Sequence, residues 1–385
     1  MGYFNRLPAD IQLEIISRLP IESALDCKLI CRSWRNLVSH HPSFSQLHLA
    51  RVNQSADPGK LSFLVRDRNH QLYYFEFNET HVDCIRRFNL TPPFPDPYKF
   101  IGSFNGLVCL YDCHNHTACI CNPLTREYVL LPSVNRDCDR HWIYRSSGFG
   151  YLPLTNEYKV VELYKLSAES DFIEVAVYTL GGGNGWKNVG RLDSKSFNIE
   201  TSRCVFVNGA LLWKTAIEGR VMAFDLAEEK FRKHITPPPL PQDYMYCTTG
   251  EVGGVLCYET RHYLSSSSNI WLLKEKNNNL DMKEQVEDEP LCWRKEFNLR
   301  ESTPLAFTKS GGVLCYNWRS LDIYDPIAST LKKLVDFGTF LQIIPHKNTL
   351  ISLKEFGEED VNFLNSSEIE EKESRGDLTT MLLAK

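Results

Sequence analysis

The sequence predicts a two-domain α+β chain, a small helical unit at the N-terminus followed by an all-β propeller of about six blades. Three observations predict it. Apolar residues recur at helical spacing over residues 4–48, the period changes to strand-like alternation from Leu61, and one strand motif then returns several times.

The helical unit comes first. Pro8 suits a first helical position, Asp10 suits the positive end of the helix dipole, and Pro20 stops the helix. Ile11, Ile15 and Leu19 recur every four residues, and Leu13 and Ile16 widen the apolar arc. Ser23 is placed to cap a second helix through Leu25, Leu29 and Ile30. A third carries Trp34, Leu37 and Val38 and ends near His40-His41-Pro42. A unit this small cannot hide so many apolar side chains in its own core, and an exposed apolar arc marks a partner surface. Residues 49–60 read as a linker because Arg51–Lys60 is polar and carries Pro58-Gly59.

From Leu61 to about Phe356 the chain reads as all-β. Gly106-Leu107-Val108-Cys109, Gly209-Ala210-Leu211-Leu212, Gly254-Val255-Leu256-Cys257 and Gly312-Val313-Leu314-Cys315 are versions of one strand start. Three of them precede a second strand that ends in a turn, at Asn122-Pro123, Asp225-Leu226 and Asp325-Pro326. This spacing predicts blades near 61–90, 100–132, 147–192, 203–236, 248–299 and 304–337. Leu341–Ile344 and Thr349–Leu353 are expected to close the ring against the first blade, because closure removes an exposed edge strand. Lys274–Glu289 reads as a polar loop inserted in a blade. Residues 357–385 read as an acidic, disordered tail.

Charge narrows the functional classes. The net charge of −5 comes from the tail; without it the body carries equal numbers of acids and bases. No basic face is available for nucleic acid or an anionic membrane, so neither is expected as a partner. No apolar run approaches the roughly 20 residues of a membrane helix, and the N-terminus lacks the apolar core of a signal peptide. The thirteen cysteines are then expected to be reduced thiols, in the cytoplasm or the nucleus.

Leu7-Pro8-Ala9-Asp10-Ile11-Gln12-Leu13-Glu14-Ile15-Ile16-Ser17-Arg18-Leu19-Pro20 resembles the first helix of a plant F-box. Cys27-Lys28-Leu29-Ile30-Cys31-Arg32-Ser33-Trp34-Arg35-Asn36-Leu37 resembles the segment that follows it. The body resembles the F-box-associated, kelch-like β-propeller region of plant F-box proteins. This second resemblance runs in order through Gly102–Val108, Asn122–Thr125, Gly148–Tyr151, Asn156–Val161, Val175–Leu180 and Phe206–Leu211. It implies the substrate-recognition subunit of an SCF-type (Skp-cullin-F-box) ubiquitin ligase. The F-box would bind a Skp-type adaptor and, through it, a cullin, while the propeller holds an unknown target protein. Carried over by motif, Leu7, Pro8, Ile11, Ile15, Leu19, Pro20 and Trp34 form the docking surface. Lys28, Arg32 and Arg35 place positive charge beside it. Ala24 stands where a larger apolar residue is expected, which weakens that corner of the contact.

Features that suggest chemistry have plainer readings. Cys109, Cys113, His114, His116, Cys119 and Cys121 invite a zinc site, yet Cys257 and Cys315 fill the position of Cys109 in other blades without a His/Cys cluster. Gly148-Phe149-Gly150 and Gly181-Gly182-Gly183-Asn184-Gly185 lack the Lys-Ser/Thr and the helix of a phosphate loop. No catalytic motif is present, so a non-catalytic adaptor without cofactor or metal is expected. The alternatives are an F-box scaffold outside the ligase, or a propeller enzyme that uses the helices to oligomerise. Target contact is expected from Arg136, Arg140, Trp142, Tyr144 and Arg145, before the third blade, and from Tyr244 and Tyr246, before the fifth.

Overall fold

The computed structural model describes residues 7–41, 43–54, 60–69, 71–79, 81–88, 91–94, 97–134, 145–167, 170–196, 204–215, 218–240, 244–262, 267–275, 291–317, 319–336 and 340–365. Four helices open the chain: α1 (Ala9–Ile16), α2 (Ile21–Ile30), α3 (Arg32–His40) and α4 (Phe44–Gln54). Pro8 and Pro20 stand immediately before α1 and α2, each at φ −53°, so the proline ring presets the helix entry. The Pro20 carbonyl accepts the Ala24 N–H at 2.9 Å. Ser23 therefore lies inside the first turn of α2 and does not cap it, because the start is already fixed two residues earlier.

Helix α4 was not expected, and it carries ordered chain through Gln54 into the stretch read as linker. Its inward side mixes the buried Phe44 and Leu49 with polar groups. His48 is fully buried with its Nε2 3.0 Å from the Leu19 carbonyl, and the Arg51 guanidinium reaches the Glu14 carbonyl at 3.0 Å. With Ser45 and His48 also on its buried side, the helix has an interrupted apolar pattern in its sequence.

The strands follow in chain order. The first sheet contains β1 (Lys60–Asp67), β2 (Leu72–Asn78) and β3 (His81–Phe88). The second contains β4 (Tyr98–Phe104), β5 (Leu107–Asp112), β6 (Ala118–Cys121) and β7 (Glu127–Leu130). The third is β8 (Arg145–Leu152), β9 (Glu157–Tyr164), β10 (Phe172–Thr179) and β11 (Trp186–Asp193). The fourth is β12 (Cys204–Val207), β13 (Ala210–Lys214), β14 (Val221–Asp225) and β15 (Lys230–Phe231). The fifth is β16 (Tyr244–Val252), β17 (Val255–His262), β18 (Ser267–Glu275) and β19 (Leu291–Arg300). The sixth is β20 (Thr303–Phe307), β21 (Val313–Tyr316), β22 (Ser320–Asp325) and β23 (Thr330–Asp336). Late in the chain, β24 (Phe340–Pro345) joins the first sheet beside β1, and β25 (Asn362–Phe363) joins the second beside β7. These are the six blades, at the places the repeat predicts.

The repeat has a local cause. In Asn105-Gly106, Asn208-Gly209 and Gly253-Gly254 both residues have positive φ, between 48° and 85°. That is the backbone of a two-residue hairpin turn whose twist matches its strands. After the third strand, an Asn or Asp side chain caps the next turn. Asp225 Oδ1 accepts the N–H groups of Ala227 and Glu228 at 2.8 and 2.9 Å, and Asp325 Oδ1 those of Ile327 and Ala328 at 2.8 and 3.0 Å.

The chain divides into two compact units: the helices, the first two sheets, the short turn Leu180–Gly183 and the segment from Leu341 in one, the rest of the third sheet and the fourth to sixth sheets in the other. In the first unit, Leu64 and Leu72 of the first sheet meet Phe100, Val108, Leu110, Cys119 and Cys121 of the second. In the second unit, clusters around Val161, Val175 and Trp213, around Val207, Leu256 and Tyr258, and around Leu272, Val313 and Tyr324 join successive sheets. The Gly148-Phe149-Gly150 run serves this packing. A Cβ on Gly148 would lie 2.5 Å from Cys204 Sγ, and one on Gly150 2.4 Å from Leu226 Cδ1.

Two expectations about the C-terminus change. Of the two segments expected to close the first blade, only the one inside β24 is a strand. Residues 349–352 run as irregular chain into a 3-10 helix at Leu353–Phe356, with Leu350, Ile351 and Leu353 buried and the backbone held by side chains of the second blade. The stretch after Gly357 is not all tail, since β25 pairs with β7 and Leu364 is buried in the core of the first two blades. Its acidic residues conceal that short apolar anchor. Residues 366–385 lie outside the described residues, as do 276–290, most of the expected insertion.

Candidate adaptor-docking surface

The helical unit sorts its apolar residues into two sets. Leu13, Ile16, Ala24, Cys27, Leu37, Val38 and Phe44 form a buried core, and Leu19 and Trp34 pack against it half-buried. Ala24 is fully buried, so its small size serves packing inside the unit and does not weaken an outer contact. The second set is left outside. Ile11 is 45% exposed and Ile15 40%, one turn apart on one side of α1, and Leu7, 36% exposed, precedes the helix beside the exposed Pro8. Leu29, 79% exposed, and Ile30, 43%, add a second apolar pair at the end of α2.

The sequence marks Leu29 and Ile30 only as helix-forming apolar positions. The available signal was excess: α2 has apolar residues at 21, 24, 25, 27, 29 and 30, too many for one face. With Ala24 and Cys27 turned inward, the end of the helix faces outward.

Charge frames this surface unevenly. Arg32 and Arg35 are exposed, and Arg35 Nε donates to the Lys28 carbonyl at 3.0 Å across the α2–α3 junction. Lys28 differs from them. Burial pushes its ammonium below the ordinary lysine range, and the acidic group that opposes this shift is Glu127 of the second blade. Pro20 is exposed between α1 and α2. Glu14 lies between two arginines, and hydrogen bonds from Arg18 and then Arg51 hold its carboxyl below the usual range.

The residues proposed for target contact are only partly placed. Arg136, Arg140, Trp142 and Tyr144 lie outside the described residues. Arg145 opens β8 opposite Tyr164, and Tyr244 and Tyr246 lie in β16 opposite His262 and Arg261, so these three stand in strands and not in a loop. Alternating aromatics favour a pleated strand, which is why the ladder extends this far.

The cysteine-rich hairpin resolves by register. Cys109 sits opposite Ile120, whereas Cys119 and Cys121 sit opposite Leu110 and Val108. Side chains alternate across a strand, so Cys109 points to one face of the sheet and Cys119 and Cys121 to the other. Burial pushes the Cys119 thiol well above its usual range, a poor state for a thiolate ligand. Among the described residues, no group of three or more His, Cys, Asp or Glu side chains is arranged to hold a metal ion. No helix among them is long and apolar enough to cross a membrane.

Comparison with known proteins agrees with this architecture. A family model of the F-box domain matches residues 4–46, and one of the F-box associated beta propeller domain matches residues 60–317. An F-box protein of Arabidopsis thaliana is 25% identical over 91% of this chain and 92% of its own length. An F-box/kelch-repeat protein of the same plant is 23% identical over 70% of this chain and 76% of its own. Among solved structures, a chain of a nidogen–laminin complex aligns over 74% of this chain and 98% of its own, at 14% identity and a TM-score of 0.42, too low for any assignment. With four helices, six blades and both family matches in chain order, the protein belongs to the F-box proteins that carry an F-box-associated β-propeller, the family its Arabidopsis relatives represent.

Proposed function

We propose that this chain is the substrate-recognition subunit of an SCF-type ubiquitin ligase, working in the cytoplasm or nucleus. Its F-box docks a Skp-type adaptor, which links it to a cullin, and its propeller holds the target protein. The chain performs no covalent step of its own; it supplies proximity and orientation. The observation that carries this reading is the outward apolar set Leu7, Ile11 and Ile15, with Leu29 and Ile30, on a unit whose core is already filled by other side chains. Such a surface suits a partner with an apolar groove. Arg32 and Arg35 beside it favour an acidic one. Target contact is assigned to Arg136, Arg140, Trp142 and Tyr144, before the third blade, to Arg145 at the start of β8, and to Tyr244 and Tyr246 at the start of β16.

The test is co-purification with a Skp-type adaptor. Changing Leu7 and Pro8 together to alanine, or Leu29→Asp alone, is expected to weaken binding at least tenfold. A buried aliphatic contact is worth on the order of 1.5–3 kcal/mol, and Pro8 also sets the start of α1. Thermal unfolding of the blades is expected to be unchanged. Full adaptor binding by both variants would reject the docking assignment.

A further inference from the structure

We propose that residues 346–358 form a positioning strap that is pinned along the second blade and fixes the orientation of the F-box helices on it. The functional consequence rests on the ligase reading above, whereas the structural claim does not.

Contacts to both partners meet in this short segment. Toward the blade, Asn122 Nδ2 donates to the carbonyls of Thr349 at 3.1 Å and Ile351 at 2.8 Å. The Glu127 carboxylate accepts the Ser352 hydroxyl at 2.9 Å and the Leu353 N–H at 2.8 Å. Thr349 Oγ1 donates to the Asn105 carbonyl at 2.6 Å, across a turn so close that a Cβ on Gly106 would lie 2.1 Å from that hydroxyl. Past the second blade, at the turn that follows β10, the Gly181 N–H donates to Glu358 at 2.7 Å, and a Cβ there would fall 1.6 Å from the Phe356 carbonyl oxygen.

Toward the helices, Leu350 is buried in the cluster of Leu13, Ile16 and Phe44. Lys347 Nζ donates to the Val52 carbonyl at 3.1 Å and to Asn53 Oδ1 at 2.9 Å, at the end of α4. The Ser45 hydroxyl donates to the Glu355 carboxylate. A single short segment, irregular up to Ser352 and turning into a 3-10 helix at Leu353–Phe356, therefore contributes a core residue to the helical unit and backbone acceptors to the blade.

The blade repeat supplies an independent argument. Asn122, Asp225 and Asp325 occupy the same turn in the second, fourth and sixth blades, and each caps it through Oδ1. The cap needs only an acceptor, which Asp supplies. The blade that touches the strap has Asn, whose amide caps the turn and still has two N–H groups, both of which go to the strap backbone.

An adaptor bound to the helices would then be held in one orientation on the second blade. The ligase would present ubiquitin to a restricted set of lysines.

Two full-length variants test the strap. N122D keeps the cap but sets a carboxylate against two carbonyls. K347A/L350A/E355A removes only the helix-side contacts and leaves Asn122 in place. Hydrogen exchange followed by mass spectrometry is expected to show amides of α2 and α4 exchanging at least tenfold faster in both, with β5 and β6 still protected. Unchanged exchange in the helices of the triple variant overturns the proposal. If β5 and β6 lose protection in N122D, the triple variant alone decides.

The positioning role is read in a reconstituted ligase by mapping which lysines of this chain acquire ubiquitin. The triple variant is expected to bind a Skp-type adaptor within twofold of the parent, yet to shift the relative occupancy of its modified lysines at least threefold. Restoring Lys347 and Glu355, with Leu350→Met, is expected to recover the parent pattern. An unchanged pattern with intact adaptor binding overturns the positioning role. Failure of the parent chain to bind the adaptor refutes the ligase reading, and hydrogen exchange still decides the strap.

Discussion

His346 shows how far a single side chain is committed to the fold. It is 4% exposed, its ring nitrogens lie 2.8 Å from the Ser103 hydroxyl and 3.2 Å from Asn348 Oδ1, and Tyr74 packs edge-on against it. Burial pushes its pKa down from 6.5 to about 4. The folded state therefore binds fewer protons than the unfolded chain between those values, so stability is lost as pH falls from 6.5 toward 4. A shift of that size corresponds to about 3 kcal/mol. His48, also lowered by burial, acts in the same direction, whereas Glu259 and Glu355, raised by burial, act in the opposite one. The informative quantity is thus a difference. Between pH 7 and 4, the unfolding free energy of H346Q is expected to fall less than that of the parent protein, and parallel curves would contradict this. None of this was legible in the sequence, where His346 is an unremarked residue near the chain end. Leu29 and Ile30 were similarly missed, because an apolar residue on a helix is read as core unless a count shows the core to be full.

At the scale of elements, the blades were legible and the fourth helix was not, for one physical reason. Blades repeat, and several carry the same turn chemistry: Asn-Gly at one hairpin in the second and fourth, and a capping Asn or Asp at another in the second, fourth and sixth. Helix α4 is held by Phe44 in the helical core and by His48, Ser45 and Arg51, whose polar contacts depend on distant partners such as Leu19 and Glu355. The glycines of β8 show the same contrast. Their sequence suggested a loop to be excluded; their place shows two points of close approach between sheets. Gly150→Ala is expected to cost about 1–3 kcal/mol, since its Cβ would press on Leu226 and Phe206 in a packed core. Gly183→Ala, with open space around it but a φ of +67°, is expected to cost only about 1 kcal/mol. Thermal melts of the two variants separate steric from conformational roles, and an equal loss in both would reject the close-approach account for β8.

At the scale of the whole chain, the C-terminal segment does more than close the first blade. After β24 covers the edge of β1, the chain passes the helices, holds the second blade and ends its described course with β25 and Leu364 in place. The sequence supported only the first of these roles, because the other contacts join residues separated by 225 or more positions and leave no periodic trace. Three truncations separate the roles. A chain ending at 365 is expected to unfold like the parent, since it keeps every described strand. A chain ending at Gly357 loses β25 and the buried Leu364, a loss on the order of 2 kcal/mol, and should melt a few degrees lower. A chain ending at 337 also loses β24 and Leu350, which leaves β1 as an open edge and the helical core short of one member. An unpaired edge of this kind templates association between chains, so this form is expected to aggregate at micromolar concentration while the other two stay monomeric by light scattering. A monomeric, cooperatively unfolding 1–337 chain would show that the first blade does not need its late strand, and would remove the physical reason for β24 to return to it.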